Sequence, residues 1–597
     1  MPSRRHVVRN ACLLLQSAAQ HLMDDPALLV VQVSRRLPFR TRVVAGEVLH
    51  TVAGKLPRAA GAAALGAFMA GDEPSAHREV AKASHSGSRM GGEVAVLLGR
   101  YELLAKTSPP HTRARAAWAR GNLSHALRIL HSADRGDTWY AQRLQSELRL
   151  LRPDYRLPVP RGAWSAAIPA EGEKLRVLHL LTNSLPHTQS GYSLRTHRIL
   201  TALRDQGIES VALTRTGYPV MVGVPTAADE DTIDGIRYVR TLPAWLPLTQ
   251  EGRLEEQVAR ALELVEEFRP HVLHATTNYY NALVAQAVST ATGIPWVFEV
   301  RGMMEKTWIA LHTSPQSRQE ALTSEKVRLV AAREGALAAS ASAVVTLSDL
   351  MRTELMGREV LGRAVTVVPN GVEEALLARR RTPAEARSAL GIVEEGAFLV
   401  GAVSALVEYE GLDVLLRAVA QLLGDPSVPS ELRERLRVMI AGDGEAAPSL
   451  RALAEELGIA DRVIMPGRVS RHIAPDWVQA LDVVAVPRLD VDVARTVTPQ
   501  KPIEAMALRR PVIISDLPAL RETATRADGV LCALTHEAGS VEELARAIQA
   551  LAADPSRASA LVEQGLGAAA ERTWPALVRR YRAMYADVIT QGESARG

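Results

Sequence analysis

The spacing of apolar residues divides the chain into a helical first part and two later parts in which strands and helices alternate. Up to about residue 150, apolar residues recur at every third or fourth position, as in Ala116–Leu130. This period is typical of amphipathic helices. Residues 1–150 are therefore predicted to form an all-helical N-terminal domain, and the proline-rich residues 151–173 are predicted to form a linker.

From Lys174 onwards, short apolar runs alternate with helical patterns. The first predicted strand, Leu175–Leu181, precedes a predicted helix at Tyr192–Gln206. Further strands are predicted at Val211–Thr214, His271–His274, Trp296–Val300, Ala343–Leu347, Val365–Val368, Phe398–Val403, Arg437–Ala441, Arg462–Met465, Val483–Val486, Pro511–Ile514 and Gly529–Cys532. Strand–helix–strand units of this kind form parallel sheets with right-handed crossovers.

The alternation predicts an α/β fold with two tandem Rossmann-like domains. The expected bounds are 174–372 for the N-terminal domain and 373–575 for the C-terminal domain, followed by a last helix at 576–597. Ligands of such sheets bind beyond the carboxyl ends of the strands. We therefore expect the active site in the cleft between the two domains.

Composition narrows the class of protein. The 597 residues are 47% hydrophobic and 23% charged with a net charge of +4, which is ordinary for a globular protein of three or four domains. Cys12 and Cys532 fall in different predicted domains and indicate no disulfide framework. We recognise no metal-ligand cluster and no signal peptide, and charged residues interrupt the apolar stretch Val44–Gly71. A cytoplasmic protein without a bound metal or cofactor is expected.

The role of the helical domain stays open at this stage. Ala116–Leu130 resembles a tetratricopeptide helix pair, but no strict repeat follows it. The alternatives are a helical extension without a separate role, a docking module for a protein partner, and a module that contacts a membrane surface. The diffuse basic charge is typical of a solvated surface and would also suit an anionic membrane. Nucleic acid is not expected as a partner.

The segment Val497–Ala507 carries the most specific chemistry. Thr498 and Pro499 have the composition of a helix start, with a hydroxyl cap and a proline in the first turn. A helix N-terminus offers free amides and a positive dipole to a phosphate, and Lys501 adds a full charge. Glu504, one turn further on, could accept hydrogen bonds from a ribose diol. The structural alternative is an ordinary capped helix.

This segment resembles the donor site of glycosyltransferase family 4, whose members have the GT-B fold and retain the anomeric configuration of the transferred sugar. Thr-Pro-Gln-Lys-Pro-Ile-Glu-Ala-Met matches a pattern of one subset of that family. The resemblance implies that Glu504 binds the ribose of a nucleoside-diphosphate sugar and that the backbone at Thr498 meets the diphosphate. In the family a second glutamate stands eight positions earlier, where this chain has Thr496. Residues 576–597 correspond to the family's C-terminal crossover helix.

Three segments of the first Rossmann-like domain also resemble the family. Gly191 lies in Asn183–Arg195, which resembles members tied to exopolysaccharide loci and, in the family, lies against the donor phosphate and the acceptor. His274 ends a predicted strand where the family has histidines that face the sugar. Phe298–Gly302 resembles a Tyr-Glu-x-Arg-Gly segment, which makes Arg301 a candidate phosphate clamp. The structural alternatives are a plain strand-to-helix turn, a structural histidine and an arginine paired with its neighbouring glutamate.

In the second Rossmann-like domain, the family often carries an arginine and a lysine that hold the diphosphate. In this chain those positions fall near Ala405 and Glu410, and neither residue is basic. We expect Lys501, Arg301 and Arg488 to supply the positive charge instead, because neutralisation of an anion needs charge within range and no fixed sequence position.

The remaining predicted donor contacts lie in turns that follow strands. Ser404 follows the first strand of the second domain. Gly442 and Gly444 match a dinucleotide fingerprint only superficially, because the acid expected after the next strand is absent. In the family, this glycine turn and the backbone near Arg468 line the pocket of the nucleotide base.

The resulting prediction is a retaining glycosyltransferase that moves a sugar from a nucleoside-diphosphate sugar to a hydroxyl acceptor in the synthesis of cell-surface polysaccharide or glycolipid. His274, Arg301 and Lys501 are the predicted catalytic residues, with stabilisation of the diphosphate leaving group as the main effect and no metal required. Two alternatives stay open, a catalytically impaired homologue that acts as a scaffold and a GT-B sugar-nucleotide epimerase. A lipid-linked acceptor, a location at the inner face of the membrane and a protein partner of the helical domain also stay open.

Overall fold

The computed structural model describes residues 4–594 except 35–38, 57–58, 85–88, 105, 161, 163, 165–171, 313, 359–364 and 393–395. Part of the predicted linker therefore lies outside the described residues. The chain divides into two compact units. The first unit comprises Met1–Ser193, Ser210–Phe298 and Leu311–Ala341, and the second comprises Leu194–Glu209, Glu299–Ala310 and Ser342–Gly597.

The N-terminal region is all-helical in its described part, which confirms the prediction for residues 1–150. Its α-helices are α1 Arg4–Asp24, α2 Pro26–Ser34, α3 Phe39–Gly54, α4 Ala60–Ala70, α5 Glu73–Ser84, α6 Arg89–Leu97, α7 Pro110–Ala119, α8 Leu123–Ser132 and α9 Trp139–Leu150. Helix α4 consists largely of alanine, glycine and other small residues, and most of its side chains are buried. Their small size lets neighbouring helices approach α4 closely. Thr138 caps α9 by accepting a hydrogen bond from the Ala141 amide.

The first sheet has eight strands in the order β3-β4-β2-β1-β5-β6-β7-β8. Its strands are β1 Arg176–Leu181, β2 Glu209–Thr214, β3 Glu230–Ile233, β4 Ile236–Val239, β5 Val272–Thr276, β6 Trp296–Val300, β7 Ala343–Thr346 and β8 Val365–Val367. The helices between them are α10 Gly191–Asp205, α11 Gln250–Phe268, α12 Tyr279–Thr292, α13 Met304–Ala310, α14 Pro315–Leu322, α15 Glu325–Ser340 and α16 Asp349–Met356.

The second sheet has six strands in the order β11-β10-β9-β12-β13-β14, and neighbouring strands are parallel. Its strands are β9 Phe398–Val403, β10 Leu436–Ala441, β11 Val463–Gly467, β12 Val483–Val486, β13 Val512–Ser515 and β14 Leu534–His536. Its helices are α17 Glu374–Leu377, α18 Pro383–Leu390, α19 Leu412–Gly424, α20 Ser430–Arg435, α21 Ala447–Glu456, α22 Ala474–Gln479, α23 Asp492–Thr496, α24 Lys501–Ala507, α25 Pro518–Ala524, α26 Val541–Ala553, α27 Pro555–Ala570 and α28 Trp574–Ser594. Apolar residues of its strands and helices form the core.

The α/β prediction with two sheets is confirmed. The structure differs from the predicted strands at two places. The hairpin of β3 and β4 was not predicted, although its Asp234-Gly235 turn between isoleucines is a hairpin signal. Conversely, no strand forms at the predicted Gly529–Cys532, where the described backbone makes only an isolated bridge at Leu531. The last strand, β14, begins two residues after Cys532, because apolar content alone cannot locate the register of an edge strand.

Within the first unit, polar contacts connect the N-terminal helices to the α/β region. Arg149 of α9 forms a two-pronged ion pair with Glu251 of α11, and the Glu251 amide donates to Ser146 Oγ at 3.0 Å. The Ser124 amide donates to Glu325 Oε2 at 2.7 Å. In the part of the chain that the structure describes, no helix combines the length and the apolar character that crossing a bilayer requires.

Candidate functional site

The candidate site lies where the strand order of the second sheet reverses. β9 and β12 are neighbours in this sheet although they are far apart in sequence. Open α/β sheets bind ligands outside the carboxyl ends of strands at such a switch point. Ser404 directly follows β9, Arg488 follows β12 by two residues, and Lys501 begins α24. These three predicted residues therefore belong to one edge of the second sheet.

Glu410 joins the cations of this edge into one cluster. Its Oε2 lies 2.7 Å from Lys501 Nζ, and its Oε1 accepts a 3.0 Å hydrogen bond from Arg488 Nη2. Lys501 Nζ also donates to Ser404 Oγ, and the Arg488 guanidinium lies over the Tyr409 ring. One buried carboxylate thus faces two cations, so the cluster keeps a positive charge in excess.

Burial and pairing shift the pKa values of this cluster. Burial alone would raise the pKa of Glu410, but the charges of Lys501 and Arg488 outweigh it and lower that pKa to about 2. Burial lowers the pKa of Lys501, an effect that Glu410 opposes and Arg488 strengthens. Glu410 is therefore a carboxylate at any physiological pH. It occupies a position where a base was expected, and it reduces the charge that Lys501 and Arg488 offer to an anion.

Glu504 lies one turn further along α24, and its side chain keeps 31% exposure. Arg198 of α10 approaches its Oε1 to 3.1 Å, and Gln500 Nε2 donates to the same oxygen at 2.8 Å. Arg198 also pairs with Glu373 at 2.7 Å. Among the described residues both contacts fall on Oε1, so Oε2 stays available to a ligand hydroxyl. The sequence did not predict Arg198 or Glu373 as neighbours of this carboxylate.

The prediction that Thr498 and Pro499 begin the helix is wrong. α24 begins at Lys501, its N-cap is Gln500 without a side-chain cap, and the first-turn proline is Pro502. Thr498 is instead buried before the helix, where its carbonyl accepts a 3.0 Å hydrogen bond from Asn370 Nδ2. Its hydroxyl has no hydrogen-bond partner in the described part of the chain. The segment has two prolines, Pro499 and Pro502, and only tertiary packing selects the second for the first turn.

Gly442 and Gly444 bring two backbone turns into close contact after β9 and β10. A Cβ atom on Gly442 would lie 1.7 Å from Ser404 O, and one on Gly444 would lie 2.1 Å from Leu406 O. The Gly442 amide donates to Gly467 O at 2.9 Å. These glycines therefore hold the Ser404 loop in place by close packing. Arg468, which follows β11, is exposed.

The place of the absent family glutamate is taken by Thr496 at the end of α23. Its Oγ1 accepts a 3.3 Å hydrogen bond from Lys306 Nζ and donates to Asp492 O at 2.9 Å. Lys306 in turn pairs with Glu354 at 2.9 Å. A lysine therefore adjoins the position where the family has an acid, a contact that the sequence did not reveal.

Arg301 was predicted to supply positive charge to the diphosphate together with Lys501 and Arg488, but its contacts place it in a different cluster. Its guanidinium donates to Glu299 Oε2 at 2.7 Å and to Thr196 Oγ1 at 2.6 Å. Glu299 also pairs with Arg195 at 3.1 Å and accepts a 2.7 Å hydrogen bond from Tyr581 of α28. All of these side chains are buried. This is the paired arginine that the sequence left open as the alternative.

His274 and Gly191 lie in the first compact unit. His274 does not end its strand as predicted, because β5 continues to Thr276. Its ring is 1% exposed and stacks on His179 of β1 with 4.9 Å between the ring centroids. Gly191 begins α10 and is exposed, with open space where a Cβ atom would lie. His274 thus has the surroundings of a core histidine, and Gly191 has room for a ligand.

Comparison with known proteins identifies the two α/β regions. A family model described as "Glycosyl transferase 4-like domain" matches residues 190–371, and one described as "Glycosyl transferases group 1" matches residues 397–554. Both α/β regions are therefore covered. The fold is also similar to that of sucrose-phosphate synthase from Thermosynechococcus elongatus, at 18% identity and a TM-score of 0.55 over 70% of this chain and 100% of that chain. HepE of Anabaena in complex with UDP is similar at 18% identity and a TM-score of 0.51, over 69% of this chain and 100% of HepE.

Several curated relatives share the name D-inositol 3-phosphate glycosyltransferase. The D-inositol 3-phosphate glycosyltransferase of Kineococcus radiotolerans is 29% identical over 48% of this chain and 67% of its own length. That of Segniliparus rotundus is 26% identical over 73% of this chain and 95% of its own length. The chain spans 64% and 51% of two further relatives with this name, from Stackebrandtia nassauensis and Thermobispora bispora.

The two sheets and the two family models define a glycosyltransferase with the GT-B fold. The chain belongs to the glycosyltransferase family 4-like group. Helices α1–α9 precede the matched residues, so the family models say nothing of them.

Proposed function

We propose that this protein is a retaining glycosyltransferase that moves a sugar from a nucleoside-diphosphate donor to a hydroxyl acceptor. One observation carries the proposal: Lys501 and Glu504 lie one turn apart on α24, at the switch point of the second sheet, with Ser404 beside the lysine. A cation and a carboxylate at this spacing suit a diphosphate and the adjoining ribose. The family models and the names of the relatives support the same class of reaction.

In the proposed complex the diphosphate replaces Glu410 as the partner of Lys501 and Arg488. These cations stabilise the negative charge that grows on the phosphate as the sugar bond breaks. The orphaned Thr498 hydroxyl supplies a further donor, and Glu504 accepts hydrogen bonds from the ribose through Oε2. The acceptor hydroxyl forms its bond to the sugar on the face from which the diphosphate leaves, so the configuration is retained, and a phosphate oxygen of the leaving diphosphate takes the acceptor proton. We propose that no bound metal is needed.

Two classes of acceptor are consistent with the proposed reaction. The names of the relatives point to a phosphorylated cyclitol. The resemblance of the motifs to one subset of the family points instead to cell-surface polysaccharide or glycolipid synthesis in the cytoplasm. We propose the second context, with a lipid-linked sugar as the acceptor. An acceptor screen should therefore include both lipid-linked sugars and inositol phosphates.

A donor screen tests the proposal directly. Thermal unfolding of the full chain is measured with UDP-, GDP- and ADP-sugars, each with and without a metal chelator. One nucleotide is expected to raise the unfolding temperature in both conditions, and Glu504→Ala is expected to weaken that effect about tenfold in apparent affinity. If none of the nucleotides stabilises the wild-type protein, the donor-site assignment is wrong.

Product analysis with a labelled donor then distinguishes the proposed transferase from an epimerase and from a catalytically impaired homologue. Acceptor-linked sugar with the donor's anomeric configuration supports the proposal. A free epimerised sugar would identify an epimerase instead. Donor binding without any turnover would identify a catalytically impaired homologue, for which the neutralising Glu410 and the substitution at Thr496 are the specific observations.

A further inference from the structure

Exposed aliphatic side chains are concentrated at the start of the chain. Among the described residues, twenty large apolar side chains are exposed, and eleven of them fall between Val7 and Leu56. The other nine are scattered over the rest of the chain. Single exposed apolar side chains are normal in a folded protein, but such a concentration marks an interaction surface.

Helix α1 buries one side, which carries both polar and apolar residues, and exposes an apolar stripe on the other. It buries Asn10, Leu13 and Ser17, and Asn10 Nδ2 donates to Ala227 O at 2.8 Å and to Pro225 O at 3.0 Å. On the opposite side, a stripe with a spacing of seven residues stays exposed. It consists of Val8, Leu15 and Leu22, which are 58–69% exposed. The stripe is about 21 Å long, since a helix rises 1.5 Å per residue.

Helix α3 presents a second stripe of the same kind. Val44, Val48 and Val52 are spaced by four residues, and each is 57% exposed. The other side of α3 packs on α4, where a His50 ring nitrogen lies 3.0 Å from Ala63 O. Packing thus fixes the direction of each exposed stripe, because each helix buries its opposite side within the same unit.

The net charge of this region is positive. Residues 1–60 contain nine Lys and Arg and three Asp and Glu, a net charge of +6, whereas residues 61–597 together carry −2. Two of the three acids are already engaged, Asp24 by Arg143 and Asp25 by Arg115. The chain's positive excess therefore lies in the same 60 residues as its exposed aliphatic side chains.

We infer that α1–α3 dock on the surface of an anionic lipid bilayer. The aliphatic stripes enter the boundary between head groups and acyl chains, and the basic residues attract the anionic head groups. A bilayer accepts apolar side chains from several helices without a complementary groove. A second copy of this chain would bring equal positive charges together, which opposes self-association. This inference does not depend on the donor or the acceptor of the proposed reaction.

Vesicle flotation of the full-length protein tests the inference. Vesicles of phosphatidylcholine alone are compared with vesicles that also contain phosphatidylglycerol. The protein is expected to float with the anionic vesicles, with affinity about fivefold higher for each basic residue engaged, and to be released as salt rises. Equal binding to both kinds of vesicle, or binding to neither, would overturn the inference.

Matched serine substitutions test which surface binds. The triple variant Val8→Ser, Leu15→Ser and Leu22→Ser is expected to lose at least about tenfold of its vesicle affinity. The control, Ile473→Ser with Val530→Ser, changes exposed apolar residues of the second unit and should bind like wild type. Unchanged thermal unfolding shows that both variants fold. Vesicle binding by the triple variant at the wild-type level would contradict the inference. It would also be contradicted if the wild-type protein bound no vesicles and instead formed a dimer, seen by light scattering, that the triple variant does not form.

Discussion

Two buried glutamates of the second unit each contact two cations, but their surroundings differ in exposure. Glu299 is enclosed by Arg195, Arg301 and Tyr581, and it connects α10, β6 and α28. Glu410 lies at the carboxyl edge of the second sheet, where its partner Lys501 keeps 26% exposure. The same combination of charges is thus part of the scaffold where every member is enclosed. It is a candidate ligand site where one cation can still reach solvent.

The largest expected effect is on the enclosed cluster. Glu299→Ala leaves two buried arginines without their carboxylate, which costs about 3–5 kcal/mol of unfolding free energy. Urea denaturation measures this loss. Tyr581→Phe serves as the control, because it removes a single hydrogen bond to Glu299 and should cost about 1–2 kcal/mol. A loss below about 1 kcal/mol for Glu299→Ala would show that this cluster does not hold the scaffold together.

Substitution of the partly exposed Lys501 should instead act on ligand binding. Lys501→Met is expected to lower donor affinity by about 10–100-fold, which corresponds to about 1.5–3 kcal/mol for a hydrogen bond to a charged group. Calorimetric titration with the stabilising nucleotide sugar measures it. Arg301→Lys, as the control in the enclosed cluster, should leave the affinity of the folded protein within about twofold. Equal effects of the two substitutions would erase the distinction between the clusters.

Removal of the competing carboxylate should strengthen donor binding. Glu410→Gln frees Lys501 and Arg488 from their negative partner and is expected to raise donor affinity about fivefold. Glu410→Asp keeps the charge and should show no such gain. A weaker donor complex in Glu410→Gln would mean that the carboxylate positions the two cations and does not compete with the diphosphate.

The effect of Glu410→Gln on the unfolding free energy should depend on pH. The folded pKa of Glu410 is about 2, below its ordinary value of 4.5. The ionised carboxylate therefore stabilises the fold above about pH 4.5, and this contribution is lost as pH falls towards 2. The difference in unfolding free energy between wild type and Glu410→Gln should shrink over that range and stay constant from pH 5 to 8.

The smallest effect is expected at Thr498. Its hydroxyl is buried without a partner, so Thr498→Val should leave the unfolding free energy unchanged or raise it by up to about 1 kcal/mol. Donor affinity should fall at the same time, because the hydroxyl is proposed to meet the diphosphate. Thr523→Val is the matched control, since the Thr523 hydroxyl donates to Ala519 O at 2.8 Å and its loss should destabilise the fold. A destabilised Thr498→Val protein would indicate an unseen partner of the hydroxyl.

Much of the fold was predictable because strand periodicity is a local property. The predicted bounds of β6, β9 and β12 agree with the structure, since each is a short apolar run that ends in a polar turn. The hairpin of β3 and β4 escaped prediction because each strand has only four residues and β3 begins with three polar ones. The segment from Lys501 to Glu504 was found through its proline and charge pattern, although the helix begins two residues later than predicted.

The sequence by itself determined the alternation of strands and helices, the all-helical N-terminal region and the position of Lys501 and Glu504 along the chain. Those features depend on hydrophobic periodicity and on neighbouring residues. Only the tertiary structure decided that Glu410 neutralises Lys501, that Arg198 approaches Glu504 and that Arg301 is enclosed with Glu299. Each of these contacts joins residues on different elements or depends on burial, and a local sequence pattern encodes none of them. The function of a charged residue in this protein therefore follows from the groups that the fold brings to it.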